Sequence, residues 1–232
     1  MTNPAGKPAP DGRISLDVPD GWTTEPRRQT VGELAPHESR TVKFTVRAPQ
    51  DVDPRRYRFT ARALFGRAAY ETSAVMWGGV GSFKNVARGR PATQKSVAYD
   101  GVPARAVDGN TDGVWGRRSV THTREPESQA WWQVDLGESR DIADVNVWNR
   151  TDCCGSRLSA YYVFVSDTPF TGTSVEETLA QPGVRAYYQP KDAGTPTRIS
   201  ADTSGRYVRV QLTSQDAPLS LAEVEVMSAV PR

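Results

Sequence analysis

The sequence predicts an all-β protein, with an immunoglobulin-like sandwich followed by a second β domain. Three observations lead to this prediction. Apolar and polar residues alternate in many short runs, turn-forming residues separate the runs, and no convincing helical stripe precedes residue 80. A glycine-rich stretch at residues 78–82 is typical of a linker, and it divides the chain into domains 1–77 and 83–232.

The first domain contains three runs with the period of two that strands show. Pro19-Asp20-Gly21, Ala48-Pro49 and Asp53-Pro54 supply turn signals between the runs. Several short strands at this spacing predict an immunoglobulin-like sandwich. The alternating positions are Ile14, Leu16 and Val18, then Val42, Phe44 and Val46, then Tyr57, Phe59, Ala61 and Ala63.

The second domain continues the β pattern after the linker. Five further segments combine apolar and β-branched residues in runs of strand length. They lie at residues 130–137, 142–148, 161–165, 206–212 and 219–227.

Charge and hydropathy exclude two classes of partner. The net charge is +2 over 232 residues, and no run of five basic residues occurs, which argues against nucleic acid. No apolar stretch approaches the roughly 20 residues of a membrane span, so we expect no membrane insertion. The opening residues lack the apolar core of a signal peptide. We therefore expect either a cytosolic protein or a piece of a longer secreted chain, and the Pro-rich start favours the second.

The two cysteines of the chain, Cys153 and Cys154, are adjacent. A disulfide between neighbours closes no chain loop and stabilises the fold little, so the pair points to a functional surface. A bridged pair would indicate an oxidising compartment, although the sequence leaves the redox state open. A zinc site with His122 is disfavoured, because structural zinc prefers thiolates two to four residues apart.

Charged residues frame the cysteine pair. Arg150 and Arg157 offer rigid forks of donors, which suit a carboxylate, a phosphate or the hydroxyls of a sugar. Asp152 is placed to bind and partly neutralise Arg150, which favours an uncharged polyol over a phosphate. A bridged cysteine pair would add an apolar face for the C–H side of a sugar ring.

This arrangement resembles the fucose-binding signature of F-type lectins, the fucolectin family. The signature is a histidine, then Arg-x-Asp, then a basic residue after four more positions; here it is His122, Arg150-Thr151-Asp152 and Arg157, with adjacent cysteines between. The resemblance covers residues 83–232. It implies an eight-stranded jelly-roll sandwich that recognises terminal L-fucose and fucosylated glycans.

The resemblance also implies roles for single residues. His122, Arg150 and Arg157 would hydrogen-bond the sugar, and a Cys153–Cys154 bridge would stack on its ring. Trp115 lies where the family usually has an aromatic residue near the C6 methyl group, although a place in the core is equally compatible with its sequence context.

A second predicted site is for calcium. Asp108-Gly109-Asn110 resembles the start of an EF-hand loop, but position twelve is Ser119 instead of Glu, so that interpretation fails. A plain Asp-Gly-Asn turn is the simpler alternative. F-type lectins hold a structural Ca²⁺, and the positions that match its ligands are the side chains of Asp108, Asn110, Ser119 and Glu223, with carbonyls from Arg105 and Ala222.

The first domain resembles the NEW3-type domain that is often attached to glycoside hydrolases. Val18–Trp22, Leu34–Ser39 and Tyr57–Ala61 carry this resemblance, which implies a spacer without a ligand. Together the domains predict a non-catalytic targeting appendage of a larger secreted carbohydrate-active enzyme.

Two other functions remain as alternatives. One is a discoidin-like module for another glycan, a lipid head group or a protein. The other is a glycoside hydrolase fragment, with Glu125 and Glu127 or Asp141 and Asp144 as an acid–base pair.

Overall fold

A computed structural model describes residues 1–231 and divides into two compact units. The first unit is residues 1–81, to which residue 231 is also assigned, and the second is residues 82–230. Arg232, the last residue of the predicted second domain, lies outside the described residues. The boundary falls within the predicted 78–82 linker, but this stretch is mostly extended: Gly78 ends one strand and Val80 begins the next, with Gly79 between them at a φ of 65°.

The first unit is built from six strands in two antiparallel sheets. One sheet has the order β3-β1-β5-β6, and the other pairs β2 with β4. Ile14, Val31 and Leu34 form a small buried core. The strands are β1 (Gly12–Asp17), β2 (Thr23–Glu25), β3 (Arg28–Val31), β4 (Thr45–Arg47), β5 (Arg55–Phe65) and β6 (Ala68–Gly78).

The second unit holds seven strands, of which the first begins two residues before its boundary. These are β7 (Val80–Asn85), β8 (Ala92–Gln94), β9 (Trp131–Asn149), β10 (Tyr161–Ser166), β11 (Arg185–Gln189), β12 (Thr197–Leu212) and β13 (Leu221–Pro231). One α-helix, α1 (Val175–Ala180), and three 3₁₀ turns, Pro103–Val107, Trp115–Arg117 and Gly155–Arg157, lie between them.

These strands form one network in the order β11-β10-β12-β9-β13-β7, with β8 also paired to β9. The sequence predicts two strands at 130–137 and 142–148, and the structure joins them into β9. The start of β9 pairs with β8 and its end pairs with β13, so one continuous strand serves as two. This continuity explains a count of seven where the resemblance implies eight.

Aliphatic side chains from these strands form the core of the second unit. Val145 and Val147 of β9 are fully buried, as are Val208 and Val210 of β12. This alternation confirms the all-β class that the sequence predicts. No helix within residues 1–231 has the length and apolar character needed to cross a membrane.

The sequence did not reveal helix α1. It is only six residues long and begins with a capping box in which Ser174 and Glu177 satisfy each other's backbone donors.

Candidate functional site

His122 lies on a segment that runs beside the start of β13. Thr121 N donates to the carbonyl of Leu221 at 2.8 Å, and Leu221 N donates back to the Thr121 hydroxyl at 3.0 Å. Thr123 makes the same exchange with Leu219, at 3.0 and 2.9 Å. The buried threonines thus hold the backbone on both sides of His122.

The His122 side chain is only 4% exposed and lies between two aromatic rings. Its ring is edge-on to Tyr99 at 5.4 Å and to Trp115 at 5.5 Å between centroids. Its Nδ1 lies 2.5 Å from the carbonyl oxygen of Thr123. Because a carbonyl can only accept, Nδ1 carries the proton, and Nε2 of the neutral ring can accept from a ligand hydroxyl.

Arg150 follows β9 and is locked by Asp152. Arg150 Nε donates to Asp152 Oδ1 at 2.6 Å, and Nη2 donates to Oδ2 at 3.3 Å. Trp115 N donates to the same carboxylate at 3.2 Å, and the Trp115 ring centroid lies 5.3 Å from the guanidinium carbon. The hydrogen bond from Arg150 holds the pKa of Asp152 below its usual value. Nη1 has no hydrogen-bond partner in the described chain.

Trp115 connects His122 and Arg150, and it is half-buried, so it is neither a core residue nor a free surface residue. Its ring lies between the guanidinium groups of Arg105, at 5.7 Å, and Arg150. Such contacts favour a fixed ring orientation.

Arg157 is held by a carboxylate that the sequence did not link to it. Its Nη2 donates to Glu125 Oε1 at 3.0 Å, and Glu125 lies three residues after His122. This ion pair brings Arg157 close to the segment that carries His122, so two of the predicted sugar-binding residues are linked.

The cysteine pair forms a disulfide on the surface between the two arginines. Cys153 and Cys154 are bonded and exposed. Asn149 holds the loop from the inside, since its Nδ2 donates to the carbonyls of Gly155 and Ala193, both at 2.9 Å. The bridge is therefore presented on a loop with a fixed base.

Two glycines allow the segments of the site to approach. A Cβ at Gly101 would lie 2.4 Å from His122 N, and a Cβ at Gly113 would lie 2.7 Å from the Asn149 carbonyl. Thr151 N donates to the Gly113 carbonyl at 2.8 Å. These contacts could not be predicted from the sequence, because they join segments far apart in the chain.

Glu223 is the centre of the predicted calcium site. It is fully buried, and its Oε1 accepts from Gly109 N at 3.1 Å. Its Oε2 is buried without a hydrogen-bond partner in the described chain. Burial, reinforced by the nearby charge of Asp108, raises the pKa of Glu223 to about 8. A buried carboxylate oxygen with no partner is an observation that fits a bound cation.

The other predicted calcium ligands lie on the same loops and on β13. Asp108 Oδ1 and Asn110 Oδ1 accept from the backbone within their own loop, at 2.7 and 3.1 Å. Ser119 is buried and donates to the Val114 carbonyl at 3.1 Å. Ala222 is the residue at the register shift of β13.

The set remains a prediction. The guanidinium of Arg105 reaches the Val120 carbonyl at 3.0 Å. Within residues 1–231 no three His, Cys, Asp or Glu side chains cluster as metal ligands, which is consistent with a set that holds only two carboxylates.

The four carboxylates considered for an acid–base pair each accept a hydrogen bond within the second unit. The donors are Arg157 to Glu125, Ser96 to Glu127, Ser204 to Asp141 and Arg198 to Asp144.

Tyr99 is a candidate contact that the sequence analysis missed. It is 73% exposed, stands at the tip of a turn with a φ of 51°, and lies edge-on to His122. A single tyrosine in a turn carries no signal in a sequence, so only the contact with His122 reveals it.

Comparison with family models gives two matches. Residues 105–210 match a NedA-like, galactose-binding domain, and residues 1–66 match the NPCBM-associated NEW3 domain of alpha-galactosidase.

Curated relatives match the second unit. Fucolectin-5 of Anguilla japonica is 31% identical over 153 residues, which is 64% of this chain and 78% of the relative. Fucolectin-1 of the same species is 32% identical over 155 residues, 64% of this chain and 83% of the relative.

Solved structures agree with these matches. A Streptococcus pneumoniae fucose binding module is 35% identical with a TM-score of 0.54, and the alignment covers 64% of this chain and 96% of the module. The lectin domain of lectinolysin complexed with Lewis b antigen is 36% identical with a TM-score of 0.53, covering 63% and 98%.

Proposed function

We propose that this chain, which belongs to the fucolectin family, is a lectin that binds terminal L-fucose on glycans through its second unit. One observation carries the proposal: Trp115 contacts both His122 and Arg150, and Glu125 ties Arg157 to the His122 segment. Three hydrogen-bonding groups of the fucolectin signature therefore lie around one surface. Relatives whose structures contain a fucosylated antigen support the choice of ligand.

The geometry explains a preference for an uncharged sugar. Asp152 neutralises much of the charge of Arg150 before a ligand arrives, so a phosphate gains less than a polyol does. His122 Nε2 accepts from one hydroxyl while Arg150 Nη1 donates to another oxygen. The exposed Cys153–Cys154 bridge offers a small apolar surface to the C–H face of the ring.

A site that contacts one sugar through a few hydrogen bonds binds it weakly. Charge-assisted hydrogen bonds contribute about 1.5–3 kcal/mol each, and loss of translational and side-chain freedom offsets much of this. We expect a Kd for free L-fucose between roughly 1 μM and 1 mM. Higher avidity for cell surfaces would come from multivalent presentation.

We further propose a structural Ca²⁺ in the second unit. The side chains of Asp108, Asn110, Ser119 and Glu223 and the carbonyls of Arg105 and Ala222 would hold it. Bound calcium supplies positive charge next to the buried Glu223 carboxylate, whose Oε2 otherwise lacks a partner.

We propose a non-catalytic role in a longer secreted chain. The match of residues 1–66 to a NEW3 domain of alpha-galactosidase supports attachment to a carbohydrate-active enzyme, with the first unit as spacer. The relatives of the second unit are lectins and binding modules, which supports a targeting function.

Calorimetric titration tests the sugar assignment. L-fucose should bind to the full chain, and D-glucose and D-mannose should give little heat under the same conditions. His122→Asn should lower the affinity for L-fucose about tenfold or more, and His37→Asn, at the other histidine of the chain, should leave it unchanged. Equal heats for the three sugars would refute the proposal.

A further inference from the structure

The first unit contains a cavity of about 670 Å³ that no predicted function uses. It lies between the loop of residues 48–54, which follows β4, and the end of β6. Two tryptophans, Trp22 and Trp77, line it together with two aspartates, Asp51 and Asp53. Ligand pockets for small molecules span about 300–1,000 Å³ and combine apolar walls with a few polar groups.

One wall of the cavity is a fixed aromatic ring. Trp22 packs on Tyr57 at 5.0 Å and on Phe59 at 5.2 Å between centroids, and both partners are buried. Trp77 stands on β6 opposite Arg56 of β5. Both tryptophans are half-buried, so part of each indole remains accessible. Aromatic faces of this kind offer apolar area at a low cost in side-chain entropy.

The loop that carries the two aspartates is anchored. The Asp53 carbonyl accepts from Arg55 N at 2.9 Å and from the Tyr57 hydroxyl at 3.1 Å. The carboxylate of Asp53 is 4.0 Å from Arg55 Nε, whereas Asp51 has no recorded partner in the described chain. Both side chains are exposed. They supply acceptors without donors, as hydroxyl groups of a ligand require.

The glycines of the predicted linker form the opposite side of the cavity. A Cβ at Gly79 would lie 1.9 Å from the Val52 carbonyl, and one at Gly78 would lie 2.9 Å from Tyr57 and from Val52. Glycine therefore allows the end of β6 to press against the loop. The cavity is therefore formed by closely packed segments of the first unit and not by a loosely held linker.

We propose that this cavity is a second carbohydrate-binding site, for a hexopyranose without negative charge. The indoles provide surfaces for ring C–H groups, and the aspartates accept hydrogen bonds from hydroxyls. No lysine or arginine is among its described lining residues, and the Asp51 carboxylate disfavours uronic and other acidic sugars. The inference goes beyond fucose binding and would give the first unit a ligand in addition to its proposed role as spacer.

The test uses the full chain with Arg150→Ala and Arg157→Ala, so that the second unit no longer contributes. Methyl glycosides of D-galactose, D-glucose and N-acetyl-D-glucosamine serve as probes, and D-galacturonate serves as the acidic counterpart. Saturation-transfer NMR and tryptophan fluorescence report binding. At least one neutral glycoside should bind with a millimolar Kd, and the acidic sugar should bind at least tenfold more weakly.

Variants then locate the binding in the cavity. Trp77→Ala should lower the affinity at least tenfold, and Tyr70→Ala should have no effect, because Tyr70 is an exposed aromatic residue of the same strand outside the cavity. Asp51→Asn should lower it severalfold and keeps the test valid where Trp77→Ala unfolds the unit. Absence of binding by every probe, or full affinity in both Trp77→Ala and Asp51→Asn, would overturn the proposal.

Discussion

Each unit combines tryptophan and aspartate side chains at its proposed sugar site, but the aspartates differ in whether they are paired within the protein. In the second unit, Asp152 is engaged by Arg150 and by the backbone of Trp115. In the first unit, Asp51 lines the same cavity as Trp22 and makes no hydrogen bond or ion pair within the described chain. The proposed sugar site of the second unit therefore has its charges balanced and its groups oriented in advance, whereas the proposed site of the first unit leaves the Asp51 carboxylate free for a ligand.

The difference extends to what supports each site. The loops around Arg150 rest on buried hydrogen bonds such as those of Asn149 and on a core that runs through β9 and β12. The first unit has few buried apolar residues: Ile14, Val31 and Leu34 form one cluster, and Tyr57 and Phe59 pack against Trp22. Preorganisation reduces the loss of conformational entropy on binding. We therefore expect substitutions in the proposed site of the second unit to lower affinity more than substitutions in that of the first.

The largest effect is expected from Arg150→Ala. The change removes a donor to the sugar and leaves Asp152 unpaired, so the affinity for L-fucose should fall about 100-fold or more. Arg206→Ala is the matched control, because Arg206 makes the same kind of pair with Asp135, with Nε 2.6 Å from Oδ1, on the first half of β9. Calorimetry that finds unchanged binding for Arg150→Ala would move the sugar site elsewhere.

Removal of calcium should lower the thermal stability of the second unit without changing that of the first. A ligand present at 100 times its Kd contributes about 2.7 kcal/mol, which corresponds to a shift of about 5–10 °C for a domain of this size. Chelator should lower the melting temperature of the second unit and leave that of the first unchanged in differential scanning calorimetry. Glu223→Gln should abolish the response to chelator. A response that persists in this variant would contradict the role of Glu223.

Gly113→Ala tests whether the close backbone contact of Gly113 with Thr151 orients the predicted sugar-binding residues. Its Cβ would lie within 2.8 Å of Thr151 N and push the Arg150 loop away from Trp115, so the affinity for L-fucose should fall about tenfold. Gly116→Ala, three residues later, meets nothing within 4 Å and should bind normally. Equal affinities of the two variants in a titration would show that the loop contact is unimportant.

The smallest effect is expected from loss of the disulfide. Cys153→Ser with Cys154→Ser should weaken L-fucose binding about threefold, because only an apolar contact is lost. The melting temperature should remain unchanged, since the bridge closes no chain loop. Thermal unfolding and titration of the same sample compare the two effects, and a destabilised variant with normal binding would reverse our interpretation.

The sequence predicted the fold class and both family resemblances, and the comparisons confirm them. Alternation of apolar residues is a local property, so most strands were found. The spacing from Arg150 to Arg157 is also local, so the resemblance to the fucolectin signature could be seen in the sequence. The sugar and calcium ligands themselves remain predictions for the experiments above.

What the sequence did not reveal depends on contacts between distant segments. The approach of Gly101 to His122, the pair of Glu125 with Arg157 and the position of Trp115 all require the folded chain. The start of strand β7 within residues 78–82 was not predicted, because glycine is common in linkers and also where backbones pack closely.

The segment from Asp108 to Ser119 has a consequence for how the two ligands of the second unit affect each other. It carries three predicted calcium ligands, Asp108, Asn110 and Ser119, as well as Trp115, which contacts the predicted sugar-binding residues His122 and Arg150. If binding of one ligand orders this segment for the other, the two binding equilibria are coupled, and the coupling is reciprocal. If calcium raises the affinity for fucose by some factor, fucose must raise the affinity for calcium by the same factor. A lectin bound to a glycan-covered surface would then also hold its calcium ion more tightly.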